Sequence, residues 1–412
     1  MNEMVSAAEM ARLTRAELTA MVKNGIAHAK TGTISQVPDI LRIPASNYFD
    51  PGRFQLEIDR IFKRVPLMLA PSAELPNPGD FKTMEVLGVP VLLSRGQNGE
   101  IRAFINSCVH RGANVATAPS GNTKRFMCPY HGWTYNEDGA LMGIASPHEF
   151  GEVDKSCLKL KALPVAERAG LIWVIVNPNS DLDIDLFLSG YDRILANFGF
   201  DKWHFFQKRV IKGPNWKIAY DGYLDFYHLP VLHKATFGAD MFNQALYYAW
   251  GPHQRVQAPL RELIALESKP EEEWGAEFVL DGVWTIFPHI SIASFDGGGR
   301  GVMISQLLPG ETVDVSYTTQ MYLMEKIPNE KQARDGDGQF KLLEYVVQEE
   351  DYFTGLRQQR ALKAGGIDHV MYGRNEGGAQ RFHGWVERIL ATEDKNLNRL
   401  FSEGEPRAAA AE

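Results

Sequence analysis

Cys108-Val109-His110-Arg111-Gly112 is followed, with seventeen residues between His110 and Cys128, by Cys128-Pro129-Tyr130-His131-Gly132-Trp133. The chain holds three cysteines in 412 residues, and two of them fall here. The pattern is C-x-H, then C-x₂-H. A [2Fe–2S] centre with two thiolates on one iron and two imidazoles on the other needs this donor set, one Cys and one His from each of two loops. Gly112 and Gly132 let the backbone approach closely, Pro129 stiffens the second loop, and Trp133 is placed to shield a cluster from water. A structural zinc site prefers unmixed pairs, C-x₂₋₄-C and H-x₃₋₅-H, which this spacing does not supply. Cys157 has no partner motif and reads as a small buried hydrophobe.

Around these loops the sequence is β-rich. Val86–Ser94 and Ile101–Asn106 read as strands joined by the turn Gly96-Gln97-Asn98-Gly99. Upstream, residues 6–30 read as a helix with a capping box at Thr14–Glu17, and Pro51–Phe62 as a short second helix. Downstream, Leu171–Val176 reads as a strand and Leu186–Phe198 as a helix. The segment 283–324 reads as four strands with a turn at Gly297-Gly298-Gly299. Helices follow near 336–363 and 378–398, and residues 403–412 read as a frayed end. The expectation is an α+β chain in three parts: a helical segment 1–46 packed on the catalytic part, an all-β domain 47–163, and a larger domain 164–412 with an antiparallel sheet and flanking helices.

A second cluster of chemistry lies in that larger part: Asp221-Gly222-Tyr223-Leu224-Asp225-Phe226-Tyr227-His228-Leu229-Pro230-Val231-Leu232-His233. Two carboxylates and two imidazoles among apolar neighbours are costly to bury unless they pair or bind metal. Two His and a carboxylate with open positions form the ligand set of non-haem Fe(II) oxygenases. Asp225 and His228 are three apart and share a helix face. His228 and His233 are five apart, about 140° round a regular helix. The 215–233 helix is therefore expected to distort at Leu229-Pro230.

Composition narrows the function. Hydrophobic content is 44%, charged content 23% and formal net charge −8, an ordinary globular balance. The charge disfavours nucleic acid and anionic membrane as partners. The longest apolar run, Leu171–Val176, is too short to span a bilayer. Three cysteines cannot build a disulfide framework, and Met1-Asn2-Glu3-Met4 lacks signal-peptide order, so the expected compartment is the cytoplasm.

Taken together, the two motifs in this order resemble the catalytic alpha subunit of the Rieske non-haem iron oxygenases (aromatic-ring-hydroxylating dioxygenase family) over most of the chain. The resemblance implies that Cys108, His110, Cys128 and His131 bind one Rieske [2Fe–2S] cluster, and that His228 and His233 bind one Fe(II) per subunit. It implies that Asp225 links that iron to the cluster of a neighbouring subunit, which calls for a homotrimer, with or without a small beta subunit. Asp221 stands where related members carry Asn, and its role is open. For the third iron ligand, Glu349-Glu350-Asp351 offers three carboxylates. Periodicity around Leu343, Val346 and Val347 centres Glu350 on the apolar face, whereas the family pattern, with Gln359 eight residues on, selects Asp351. Asp351 is taken as the ligand.

The implied activity is a terminal oxygenase. It would hydroxylate, dihydroxylate or demethylate an aromatic or other hydrophobic small molecule with O₂ and electrons from a separate reductase or ferredoxin. No flavin or nicotinamide fingerprint stands in the chain. Leu224, Phe226, Phe237, Phe242, Phe287, Phe295 and Met303 are the expected substrate contacts. The competing reading is a Rieske electron-transfer protein, against which the 221–233 cluster argues, since electron transfer needs no second iron.

Overall fold

A computed structural model describes residues 6–238 and 242–403. The chain is α+β. Its larger part is built on a seven-stranded antiparallel sheet, in the order His204–Gly213, Ser316–Met324, Gly301–Pro309, Ile290–Phe295, Val283–Ile286, His253–Gln257 and Leu246–Trp250. The four central strands follow each other in sequence, as meandering antiparallel strands do. Ile290, Ile292, Val302, Ile304 and Leu307 are buried on this sheet, and Trp284 is fully buried beside them. The predicted glycine turn joins Ile290–Phe295 to Gly301–Pro309. Gly298 has φ +82°, and a Cβ there would meet the Gln332 carbonyl oxygen at 2.2 Å. No larger residue fits that approach.

The smaller β part carries a four-stranded sheet, Ile101–Ile105, Val89–Arg95, Asp80–Val86, Ser120–Asn122, and a three-stranded one, Arg125–Met127, Thr134–Asn136, Leu141–Gly143. Leu67–Pro71 leaves this part to pair with Leu171–Val174. Residues of both parts share one large hydrophobic core, which also takes in Leu18, Met21, Val22 and Ile26 of the first helix. No helix among the described residues is long and apolar enough to cross a membrane.

Several local expectations need correction. The first helix runs Ala7–Thr31 and is capped by Ser6, whose side chain accepts from Glu9 N. Thr14 lies inside it, with its hydroxyl bonded to Ala11 O at 3.2 Å, so Thr14–Glu17 is not a start. The stretch 186–198 is not one helix. It breaks at Ser189 and Gly190, both left-handed, into Ile184–Leu188 and Tyr191–Leu195. Cys157 is exposed, on a single 3-10 turn at the edge of the smaller part where nothing packs over it. Of the expected frayed end, residues 404–412 lie outside the described residues.

The helix 330–363 is one long element with a wide π turn, Val346–Tyr352, between Glu330–Tyr345 and Phe353–Lys363. Gln359 ties it to the sheet and to the ligand segment. Its side-chain oxygen accepts from Asn215 N at 2.6 Å and its amide donates to Asp314 O at 3.2 Å. Asn215 in turn caps the next helix, Trp216–Asp221.

Candidate metal centres and the cavity beside one of them

The expected 215–233 helix ends at Asp221, well before Pro230. Residues 222–228 form turns, and Leu229–Leu232 and Lys234–Phe237 are two short helical pieces. Pro230 starts a piece rather than bending one, as a residue without N–H can do at no cost in a first turn. Asp225 reaches His228 through this turn. Its Oδ1 accepts from His228 N at 3.1 Å and lies 3.0 Å from His228 Nδ1. The rings of His228 and His233 then meet at 5.2 Å between centroids.

The π turn of the long helix brings the third group. One ligand atom each from His228, His233 and Asp351 can be chosen so that all lie within 4.8 Å of one another. His233 is buried. Its Nδ1 lies 2.7 Å from Glu350 Oε2 and its Nε2 3.4 Å from Asp351 Oδ1. Burial alone would lower the His233 pKa, but Asp351 and Glu350 together outweigh it and raise it. Two imidazoles and a carboxylate in this arrangement fit a divalent iron with open positions.

These residues line a cavity of about 630 Å³, within the range of small-molecule sites. Phe226, Phe237, Phe242, Phe295 and Met303 line it as expected. Leu224 and Phe287 do not. Leu224 turns into the main core, because the helix has already ended and its carbonyl faces Gly378. Phe287 follows a strand end at a cis peptide bond to Pro288, and its ring packs on Phe382 at 5.6 Å.

The two Cys/His loops are near copies. Cys108 N donates to Ala113 O and Gly112 N to Cys108 O; Cys128 N donates to Trp133 O and Gly132 N to Cys128 O. Gly112 and Gly132 both have positive φ, +80° and +68°. The thiols are buried, and the His110 and His131 rings lie 4.7 Å apart at the rim. Trp133 stacks on His110 at 4.9 Å, nearly parallel. Two buried thiols beneath two half-exposed imidazoles fit a cluster with thiolates on its inner iron.

A family model described as the Rieske [2Fe-2S] domain matches residues 65–162, and one described as the ring hydroxylating alpha subunit (catalytic domain) matches residues 200–392. The chain belongs to the Rieske-type non-haem iron ring-hydroxylating oxygenases, as a catalytic alpha subunit. Among its relatives, the anthranilate 1,2-dioxygenase large subunit of Acinetobacter baylyi is 29% identical over 71% of this chain and 59% of its own length. The carnitine monooxygenase oxygenase subunit of Escherichia coli K12 is 25% identical over 84% of this chain and 93% of its own. The chain spans about half the length of several of the curated relatives it matches. A solved quaternary ammonium Rieske monooxygenase bound to L-carnitine shares the fold, with TM-score 0.71 at 19% identity, over 86% of this chain and 99% of that one. A Rieske cluster and a mononuclear iron are the cofactors of this Rieske oxygenase subunit.

Three groups around the oxygenase centres escaped sequence reasoning. Tyr135 Oη lies 3.1 Å from Cys108 Sγ and accepts from Val109 N at 3.1 Å. Its place two residues after Trp133 was the available signal, since alternation on the strand Thr134–Asn136 turns it inward. Glu350, one of the three candidate ligands, instead holds the far nitrogen of His233. Asp221 is committed elsewhere. Its carboxylate accepts from Tyr48 at 2.9 Å and Tyr372 at 2.6 Å and lies 2.9 Å from His383 Nε2. Burial, then the charge of Asp221, raises the pKa of both tyrosines, keeping them donors.

Proposed function

We propose that this chain is the terminal oxygenase of a multicomponent system. It takes electrons from a separate reductase or ferredoxin and uses O₂ to hydroxylate, dihydroxylate or oxidatively demethylate a hydrophobic small molecule. The carrying observation is that His228, His233 and Asp351 converge on an apolar cavity in a chain that also holds a Rieske domain.

In this reading His228, His233 and Asp351 hold the iron, and Cys108, His110, Cys128 and His131 hold the cluster. The iron supplies O₂ activation beside the bound substrate, with electrons arriving singly from the cluster. Asp225 orients His228 through Nδ1, so that Nε2 is the nitrogen turned to the metal. Glu350 does the same for His233. Phe226, Phe237, Phe242, Phe295 and Met303 exclude water and shape the substrate's place.

Asp225 is also the residue we assign to the path from a neighbouring subunit's cluster. Two exposed apolar surfaces support a homo-oligomer, with the trimer as the expected form. Val109, Tyr130 and Phe150 stand out around the cluster loops, and Tyr227, Val231 and Met371 around the cavity mouth. Such residues seldom cluster on a surface that stays wet. The test is product analysis under ¹⁸O₂ with a reconstituted electron donor across a panel of aromatic and other apolar compounds. Label in product is expected. Absence of label, with the cluster fully reduced and iron bound, would sink the oxygenase reading in favour of simple electron transfer.

A further inference from the structure

Two rows of side chains cross the large sheet beneath the cavity. Val283, Ala293 and Met303 pair in register across three strands and present an apolar row. One pleat further along, Ser291 pairs with Ser305 and Ser305 with Gln320, and all three line the same cavity. All three are buried polar side chains, and they follow directly on the apolar row. The row ends at Arg209, the register partner of Gln320, whose Nε donates to Gln320 Oε1 at 2.7 Å. That bond fixes the amide and leaves its NH₂ as the donor Gln320 has to offer. Arg209 itself lies on the same face at the edge strand, stacked on Phe340 at 3.7 Å and 3.5 Å from Glu344, and does not line the cavity. From the turn after Trp216–Asp221, the buried Tyr223 hydroxyl comes up to the same row, with Ser305 and Tyr352 its polar neighbours.

The charges of the cavity are one-sided. Asp221, Asp225, Asp281, Asp351 and Glu376 line it, and among the described residues no Lys or Arg does. A ligand anion would leave water for a wall of carboxylates with no side-chain cation to meet it, which is costly. Beside those carboxylates, the sheet wall offers neutral donors and acceptors, Ser291, Ser305 and Gln320. Buried polar groups are normally satisfied, and a site built to bond a substrate hydroxyl discriminates against an analogue without one.

Resting on the oxygenase reading above, we propose that Ser291, Ser305 and Gln320, with the Tyr223 hydroxyl, are specificity-determining residues. They hydrogen-bond one hydroxyl or carbonyl of an uncharged, otherwise apolar substrate, and the cavity rejects carboxylates. The bond sets which carbon of the substrate faces His228, His233 and Asp351, because a fixed polar end fixes the opposite end of a rigid molecule.

The test is binding, not turnover. Fluorene, 2-hydroxyfluorene and fluorene-2-carboxylate are titrated anaerobically into iron-loaded protein, with affinity read from probe fluorescence. The expected order has 2-hydroxyfluorene tighter than fluorene by about tenfold, the worth of one hydrogen bond. The carboxylate is expected to bind more weakly than either. In Ser305→Ala, and separately in Ser291→Ala, the gap between 2-hydroxyfluorene and fluorene should shrink several-fold while affinity for fluorene holds. Tighter binding of the carboxylate, an unchanged gap in both variants, or no binding of any probe would overturn the proposal. Iron content and the visible spectrum of the same samples test the oxygenase reading separately, so failure of one does not mimic failure of the other.

Discussion

Nδ1 of His233 and Oε2 of Glu350 lie 2.7 Å apart, and the neighbouring residue, Asp351, faces the other nitrogen of the same ring at 3.4 Å. Adjacent carboxylates thus grip one imidazole from both sides. A carboxylate on the non-ligating nitrogen fixes tautomer and orientation and raises basicity. Removing it, as in Glu350→Gln or Glu350→Ala, is expected to weaken mononuclear iron binding by about 10–100-fold. Asp351→Ala should lose that iron outright. Anaerobic metal titrations of the three variants, with the cluster absorbance as an internal control, measure both. Equal loss of iron in all would mean that Glu350 ligates as well.

Metal content gives the broadest check. Anaerobically purified protein should carry about three irons per chain, two in the cluster and one mononuclear, and little zinc. Dialysis against a chelator should strip the half-exposed His228 and Asp351 site first and leave the buried thiolates loaded. A colourless, zinc-containing protein would end the Rieske assignment of these ligands.

Asp225 accepts from His228 and supplies no atom to the three-ligand set. Asp225→Asn keeps the shape but loses the charge and part of the acceptor capacity. Both metal sites should stay occupied and the proposed oligomer intact. Reduction by an external donor should be normal, whereas cluster reoxidation by O₂ with substrate bound becomes very slow. Stopped-flow absorbance in a single turnover reads this, and wild-type kinetics would remove Asp225 from the path.

Tyr135 offers a different handle. Its hydroxyl lies at hydrogen-bond distance from Cys108 Sγ, and hydrogen bonds to cluster sulfur tune its potential. Tyr135→Phe should lower the reduction potential, since the reduced cluster loses a donor that stabilises its extra negative charge. The cluster itself should assemble in full. Redox titration followed by EPR would show the shift; an unmoved potential would make Tyr135 a packing residue only.

His253 and His289 are buried, and burial lowers each to a pKa of about 3. His253 accepts from Phe287 N at Nδ1 (3.2 Å) and pairs with Phe187 O at Nε2 (3.0 Å), which requires the neutral ring. The folded value lies below the unfolded one, so their contribution to stability is complete above about pH 6.5 and is lost as pH falls towards 3. Between those limits each costs about 1.4 kcal/mol per pH unit. Calorimetric unfolding at pH 4.5–6.5 should show proton uptake on unfolding, reduced by about one proton in His289→Gln. No change would place that uptake on carboxylates instead.

Sequence reading reached the chemistry better than the backbone that carries it. The Cys/His loops, the strands 101–106 and 290–295, and the residues that converge with His228 were legible because ligand spacing and two-residue alternation are local signals. The ligand segment was not, because its helix stops at Asp221 for a reason outside the segment. Asp221 is pulled to Tyr48, Tyr372 and His383, which lie far off in sequence. The conflict between Glu350 and Asp351 had the same origin. Periodicity correctly made Glu350 the buried residue, but a regular helix cannot turn both carboxylates to one ring. Leu224 and Phe287 were misplaced because aromatic and aliphatic side chains beside a site look the same whether they face cavity or core.

The π turn at 346–352 has a consequence for how this protein tolerates change. A π turn amounts to a helix with one residue to spare. Deleting a residue from Val346–Glu349 would let the helix relax to ordinary winding while Glu330–Tyr345 and Phe353–Lys363 keep their packing. The doubled grip on His233, the bond from Thr236 to Glu350 and the carboxylate of the iron site would go with it. The spare residue is thus the place where the length of this helix and the chemistry of its carboxylates can be uncoupled.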